Sequence, residues 1–114
     1  MINLDMVGRG NNYQIWNLNS IMENKTYPQL ANKIGKQMDL RNELKRNSRG
    51  IADYIMFELI NISTITFMNI KDENGKNILY YHTSLDRIDT ISKTTRRNIS
   101  AMVMNLVEYI NHNQ

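Results

Sequence analysis

Apolar and polar positions follow two different rhythms along this chain, and the switches between them mark its elements. Residues 2–7 form an apolar run interrupted by Asn3 and Asp5, which predicts a buried strand that delivers the Asp5 carboxylate to its carboxyl end. Gly8 and Gly10 follow it and let the backbone turn sharply. Residues 13–18 alternate by two and predict a second strand, joined to the first through the turn at residues 8–12. Residues 19–25 are polar and turn-like. Thr26 then suits a helix cap, with Pro28 in the first turn, where a missing N–H costs nothing. Leu30, Ala31, Ile34 and Met38 recur at helical spacing, against which Gly35 counts by about 1 kcal/mol.

Residues 40–50 are charged and read as a helix tail or a loop. A short helix over 51–59 precedes a strand-like run at 63–70. Residues 72–75 (Asp-Glu-Asn-Gly) form a turn signal, and 77–81 a short extended piece. From Ser92 onward Ile99, Met102, Val103, Leu106, Val107 and Ile110 recur at steps of three and four, giving one apolar helix face, with Arg96, Arg97, Asn98, Asn105 and Glu108 elsewhere on it. No repeat, low-complexity tract or boundary divides the chain. The pattern predicts one α/β domain over residues 1–114: a small mixed, mostly parallel sheet flanked by helices, closed by a long C-terminal helix.

Composition narrows the chemistry. The chain has 114 residues, 41% of them hydrophobic and 22% charged, enough for one core and unlike a disordered chain. It has no cysteine, so disulfides, thiolate metal ligands and a cysteine nucleophile are excluded. No apolar run approaches the roughly 20 residues that span a bilayer, and no signal peptide is visible, which leaves the compartment open. The net charge of +3 is dispersed. Its densest cluster, Arg41, Lys45, Arg46 and Arg49, carries no interleaved aromatics and reads as a solvated surface rather than a nucleic-acid patch. Trp16 and the methionines of the last helix read as core, and His112 lies near a terminus.

An Asp at a strand end and a His in a distant loop, His82, are parts from which an oxygen- and nitrogen-ligated metal site is assembled. Each also has an ordinary reading. Asp5 suits a carboxylate that caps a turn, and His82 a loop imidazole bonded to backbone. Asp86 and Asp89 suit caps of the following segment. The residues alone leave these readings open.

Taken in order, four segments resemble the two-zinc (co-catalytic) metallo-aminopeptidases, the superfamily of aminopeptidase Y, glutamate carboxypeptidase, glutaminyl cyclase and the transferrin receptor ectodomain. Asn3-Leu4-Asp5-Met6-Val7-Gly8-Arg9 matches a family strand whose Asp is a zinc ligand. Ala52-Asp53-Tyr54-Ile55-Met56-Phe57 stands where the family has Ser-Asp-His-x-x-Phe, and Asn61-Ile62-Ser63 where it has Gly-Ile-Pro before an apolar strand. Tyr81-His82-Thr83-Ser84-Leu85-Asp86-Arg87-Ile88-Asp89-Thr90-Ile91 matches the segment whose His is the last zinc ligand, before a long helix. The resemblance spans essentially the whole chain. It implies a partial zinc-aminopeptidase fold, Asp5 and His82 as metal ligands, Asp86 as a carboxylate behind the final His, and a position for Asp53 whose role is put in doubt by Tyr54 replacing the family's His.

The resemblance also implies what is missing. Relatives have an earlier half that supplies a His-x-Asp pair, whose Asp bridges both metals, and a Glu-Glu pair, which gives the general base and another ligand. Asp5 and His82 correspond to ligands of different metals, so each metal keeps one protein ligand here, where a catalytic zinc usually has about three. This chain is therefore expected to be the C-terminal portion of such a peptidase. Alone it should bind zinc weakly or not at all, contain no catalytic residue and hydrolyse no peptide. The alternatives are one chain of a split peptidase, or a binding or scaffolding module that keeps the fold without the chemistry. The chain begins directly before the ligand-bearing strand, which suits a split or internally initiated gene, or a chain cut at that point. A sheet without its first strands exposes an edge. The expected partner is a second copy or a companion chain carrying the N-terminal half, with a peptide substrate only once the site is completed, and no nucleic acid or membrane segment.

Overall fold

The computed structural model describes residues 1–17, 26–46, 53–71, 74, 76, 83–84 and 86–113. Four strands, β1 (Ile2–Leu4), β2 (Asn12–Trp16), β3 (Asn42–Leu44) and β4 (Ile65–Lys71), form one sheet in the order β1-β4-β2-β3. The helices are α1 (Thr26–Gln37), α2 (Tyr54–Glu58) and α3 (Lys93–His112), the last preceded by a 3-10 turn, Ile88–Thr90. β1 runs parallel to β4 and β2 parallel to β3, while β2 and β4 are antiparallel, so the sheet is mixed with two of its three pairings parallel. Strands β1 and β2 are consecutive in sequence but are not neighbours, because β4 lies between them.

Strand alternation decides which side chains enter the core. Tyr13 and Ile15 of β2 and Ile65 and Phe67 of β4 pack with Ala31 and Ile34 of α1 and with Ile99, Met102 and Leu106 of α3. Val103 and Ile110 are partly buried against this cluster. The Tyr13 hydroxyl donates to the Thr95 carbonyl (3.3 Å), tying the sheet to the start of α3. The register places Asn3, Thr66 and Trp16 in one row of the sheet and Gln14, Met68 and Glu43 in another. Asn3, Gln14 and Thr66 there are buried, so the sheet is apolar toward α1 and α3 and polar at these alternate positions. Asn17 Nδ2 bridges Thr64 Oγ1 (2.9 Å) and Thr66 Oγ1 (3.2 Å), and the Thr64 hydroxyl donates to Glu58 (2.6 Å). Trp16 is half-buried rather than fully in the core.

The helix expected over 51–59 is described over Tyr54–Glu58, with 51 and 52 outside the described residues. The region read as a charged helix tail or loop instead contains β3. Asn42-Glu43-Leu44 has no apolar alternation to announce a strand, and it becomes one by pairing with β2. The Tyr13 N–H donates to Arg41 O (3.0 Å) and the Lys45 N–H to Ile15 O (2.8 Å). Helix α1 stops because Asp39 adopts φ 56°, with Leu40 N–H bonded to Gly35 O (2.9 Å) and Asp39 N–H to Lys36 O (3.1 Å), the paired bonds of a Schellman ending. Gly35 is required by close approach: a Cβ there would lie 2.6 Å from Asn42 Nδ2 and 3.0 Å from Met102 Sδ. The expectations for 19–25 and 77–81, and most of 72–75, lie outside the described residues. Among the described residues, no helix is long and apolar enough to cross a membrane.

Candidate functional site at the carboxyl end of the first strand

The ladder between β1 and β4 continues one residue past the strand, where the Asp5 N–H donates to Phe67 O (3.0 Å). Met6 then takes a left-handed conformation (φ 52°), and its carbonyl accepts from the Asn69 N–H (3.2 Å). That turn ends the strand before Met6 and Val7, both of which the sequence placed inside it. Gly10 supplies the second left-handed residue (φ 72°), at a position a side chain would strain, and from there the chain enters β2. Gly8 does not adopt a positive φ; its carbonyl accepts from the Ser92 N–H (2.8 Å).

Asp5 is half-buried, and its carboxylate has no hydrogen-bond or ion-pair partner among the described residues. Burial, and secondarily the charge of Asp53, hold its pKa above the ordinary carboxylate range. The fold thus brings Asp53, the residue before α2, near the end of β1. Asp53 makes no side-chain capping bond to that helix. Tyr54, at the position of the family's His, is buried, and burial together with the Glu58 charge raises its pKa.

Asp86 is placed by Arg9. Arg9 Nη2 donates to Asp86 Oδ1 (2.8 Å) and Arg87 O (3.3 Å), and Arg9 Nε to Thr90 Oγ1 (2.8 Å), with a further short contact from Nη2 to the same hydroxyl. Thr90 in turn donates to Arg87 O (2.6 Å). Asp89 pairs with Arg87 (3.0 Å), and neither Asp86 nor Asp89 caps α3. The cap is Ser92, whose side chain accepts from the Thr95 N–H (3.1 Å). His82 lies outside the described residues. Sequence reasoning assigned no role to Arg9, Thr90 or Thr95. Arg9 closes the Asn3–Arg9 motif and Thr90 lies in the Tyr81–Ile91 match, which were the available signals.

Carboxylate oxygen is a donor that zinc accepts, so Asp5 is of the right kind. Among the described residues, however, no group of three or more His, Cys, Asp and Glu side chains is placed to hold a metal ion. The described part of the chain does not by itself complete a zinc site.

Comparison with known proteins gives one family match and several structures of similar fold. The sequence matches peptidase family M28 over residues 1–107. No curated protein matches it. The fold is similar to the LapA aminopeptidase of Legionella pneumophila, with a TM-score of 0.71 at 16% identity, covering 92% of this chain and 29% of that one. A second LapA structure gives 0.67 at 19% identity, covering 92% and 30%. BSAP, a zinc aminopeptidase from Bacillus subtilis, gives 0.61 at 22% identity, covering 89% and 25%. The chain therefore spans between a quarter and a third of the length of these structures.

Proposed function

The chain belongs to peptidase family M28, and from that premise we propose that it is the C-terminal portion of a zinc-dependent aminopeptidase-like metallopeptidase. In this reading Asp5 and His82 are metal ligands, with Asp86 and Asp53 as the carboxylates behind them. The His-x-Asp and Glu-Glu elements come from polypeptide outside this chain. The observation that carries the reading is Asp5: a half-buried carboxylate at a strand end, without a described partner and in the field of a second carboxylate. An anion held in that way favours a cation beside it. Zinc bound there supplies a polarised carbonyl and an acidified water; the chain's own part is to hold and orient Asp5.

The open edge of the sheet fits the same reading. Among the described strands, β1 is an edge of the sheet, and Leu4 on it is 47% exposed. An open groove of about 390 Å³ lies at its amino end, lined by Ile2, Ile62, Leu106 and Ile110. An open edge and an apolar groove recruit a companion chain or a second copy.

The test is reconstitution. The chain is mixed with a separately produced polypeptide that carries the His-x-Asp and Glu-Glu elements, and hydrolysis of an aminoacyl anilide is followed. The reading expects no turnover from this chain alone, turnover from the mixture with zinc, and loss of that turnover in His82→Ala. Association of the two chains with zinc present but without turnover would instead favour a binding or scaffolding module.

A further inference from the structure

The two edges of the described sheet differ. β3 carries Glu43, paired with Lys45 (3.2 Å), and charge is one means by which natural edges refuse another strand. β1, the other edge, reads Ile2-Asn3-Leu4, with no charge, proline or bulge. Its hydrogen bonds have a definite sense. Ile65 N–H donates to Met1 O (3.1 Å) and Asp5 N–H to Phe67 O (3.0 Å), so residues 1, 3 and 5 turn their backbone groups toward β4. Ile2 and Leu4 therefore turn theirs outward, where no described residue pairs with them.

The surface beside this edge is apolar. Leu4, Met56, Leu59, Ile60 and Ile62 are exposed by 40% to 67%. The segment that holds the last four runs along β1: Asp53 lies near Asp5 at one end, and Ser63 O accepts from the Met1 nitrogen (2.7 Å) at the other. Together these side chains present an area of the same order as the ~800 Å² that each partner of a standard interface buries.

We propose that a second copy of this chain docks on the edge of β1, the two β1 strands pairing antiparallel about a two-fold axis through Asn3. In that register Ile2 of each copy lies opposite Leu4 of the other. Both residues point their N–H and C=O groups outward, so each opposed pair exchanges both of its hydrogen bonds. A register centred on Leu4 would set Ile2 against Met6, which has already turned left-handed (φ 52°) and left the strand. Directly opposed residues share a face of the sheet. Leu4 of the second copy therefore sits beside Ile2, at the apolar groove lined by Ile62, Leu106 and Ile110. A self-complementary patch of this kind closes as a dimer and stops further growth. The pairing uses no metal, so it stands apart from the zinc reading; the companion chain of that reading would compete for the same edge.

The test is the size and register of the assembly that the full chain forms. Sedimentation equilibrium at micromolar concentration should give a dimer. Leu4→Pro removes an N–H that β4 does not use, at an edge position where proline is tolerated. It deletes two hydrogen bonds per dimer and should weaken association about tenfold or more, with an unchanged circular dichroism spectrum. The chain has no cysteine, so Asn3→Cys places one thiol per copy on the axis, at the cost of a long bond to Thr66 (3.5 Å). Residues opposed there have Cα atoms about 4.5 Å apart, within the roughly 4.4–6.8 Å that a disulfide spans. Diamide should link Asn3→Cys into a covalent dimer about tenfold faster than Leu4→Cys, whose two copies lie off the axis and beyond disulfide reach. Should Leu4→Pro lose its fold, the two cysteine variants decide. A dimer that Leu4→Pro leaves intact, equal or absent linkage of the two cysteine variants, or a monomer at all accessible concentrations would overturn the proposal. The last result would leave the companion chain as the occupant of the edge.

Discussion

Asn61 donates its backbone N–H to the Glu58 carbonyl at 3.1 Å while holding a left-handed conformation with φ 64°. One residue on, the Ile62 N–H reaches the Phe57 carbonyl at 2.9 Å. These are the two bonds of a Schellman ending, and they aim the chain from α2 into β4. The zinc-aminopeptidase resemblance has Gly at this position. Asn is among the few other residues that tolerate the conformation, which explains the exchange in physical terms. Asn61→Gly should keep or raise the denaturation midpoint. Asn61→Val should lose about 1–2 kcal/mol, the usual strain of a left-handed residue. Urea titration of the two variants checks the order.

Gly35 gives a prediction against helix propensity. Alanine in a helix interior is ordinarily favoured over glycine by about 1 kcal/mol. Here the added methyl would meet Asn42 Nδ2 at 2.6 Å, and Asn42 is itself held by Asn32 (2.6 Å) and Leu40 O (2.7 Å). Gly35→Ala should therefore lower the melting temperature. A rise would show that α1 does not press on β3.

Leu106 is fully buried as a member of the core cluster, near Ile65 and Ile2. Leu106→Ala should cost about 2–5 kcal/mol. Met104, two residues earlier and 57% exposed, should tolerate alanine within about 0.5 kcal/mol. Equal effects at both positions would contradict the face that α3 presents to the sheet.

Glu43 links stability to pH. Burial pushes its carboxyl up, but the hydrogen bonds from Gln14 and Lys45 and the charges of Lys45 and Lys71 outweigh that and hold it below its ordinary value. A carboxylate lowered in the folded state stabilises the fold above its unfolded pKa of 4.5, and that contribution is lost as pH falls through the folded value. Glu43→Gln should thus lower the midpoint at pH 7, and the difference should shrink as the solution is acidified below 4.5. Denaturation curves at both pH values read the effect. A difference that grows on acidification would reverse the sign.

What was legible in the sequence was what local periodicity encodes. Ile99, Met102 and Leu106 repeat at helical steps, and the same three residues bury α3. Tyr13 and Ile15 alternate and enter the core. β3 was not legible, because Asn42, Glu43 and Leu44 become a strand only through their pairing with β2. The end of β1 was misjudged for a related reason: Met6 is apolar and strand-like in the sequence, yet it turns left-handed to give its carbonyl to Asn69. At the candidate site, Asp5 was picked out by its motif. The nearness of Asp53 and the grip of Arg9 on Asp86 depend on tertiary approach over many residues, and no local pattern announces them.

The central claim is that Asp5 belongs to a zinc site completed from outside this chain, and calorimetric zinc titration tests it most directly. The account predicts weak or no zinc uptake by the chain alone, tight stoichiometric uptake once the polypeptide with the His-x-Asp and Glu-Glu elements is added, and a marked loss of that affinity in Asp5→Asn. Zinc affinity of the mixture unchanged by Asp5→Asn, or tight stoichiometric zinc bound by the chain alone, would contradict it.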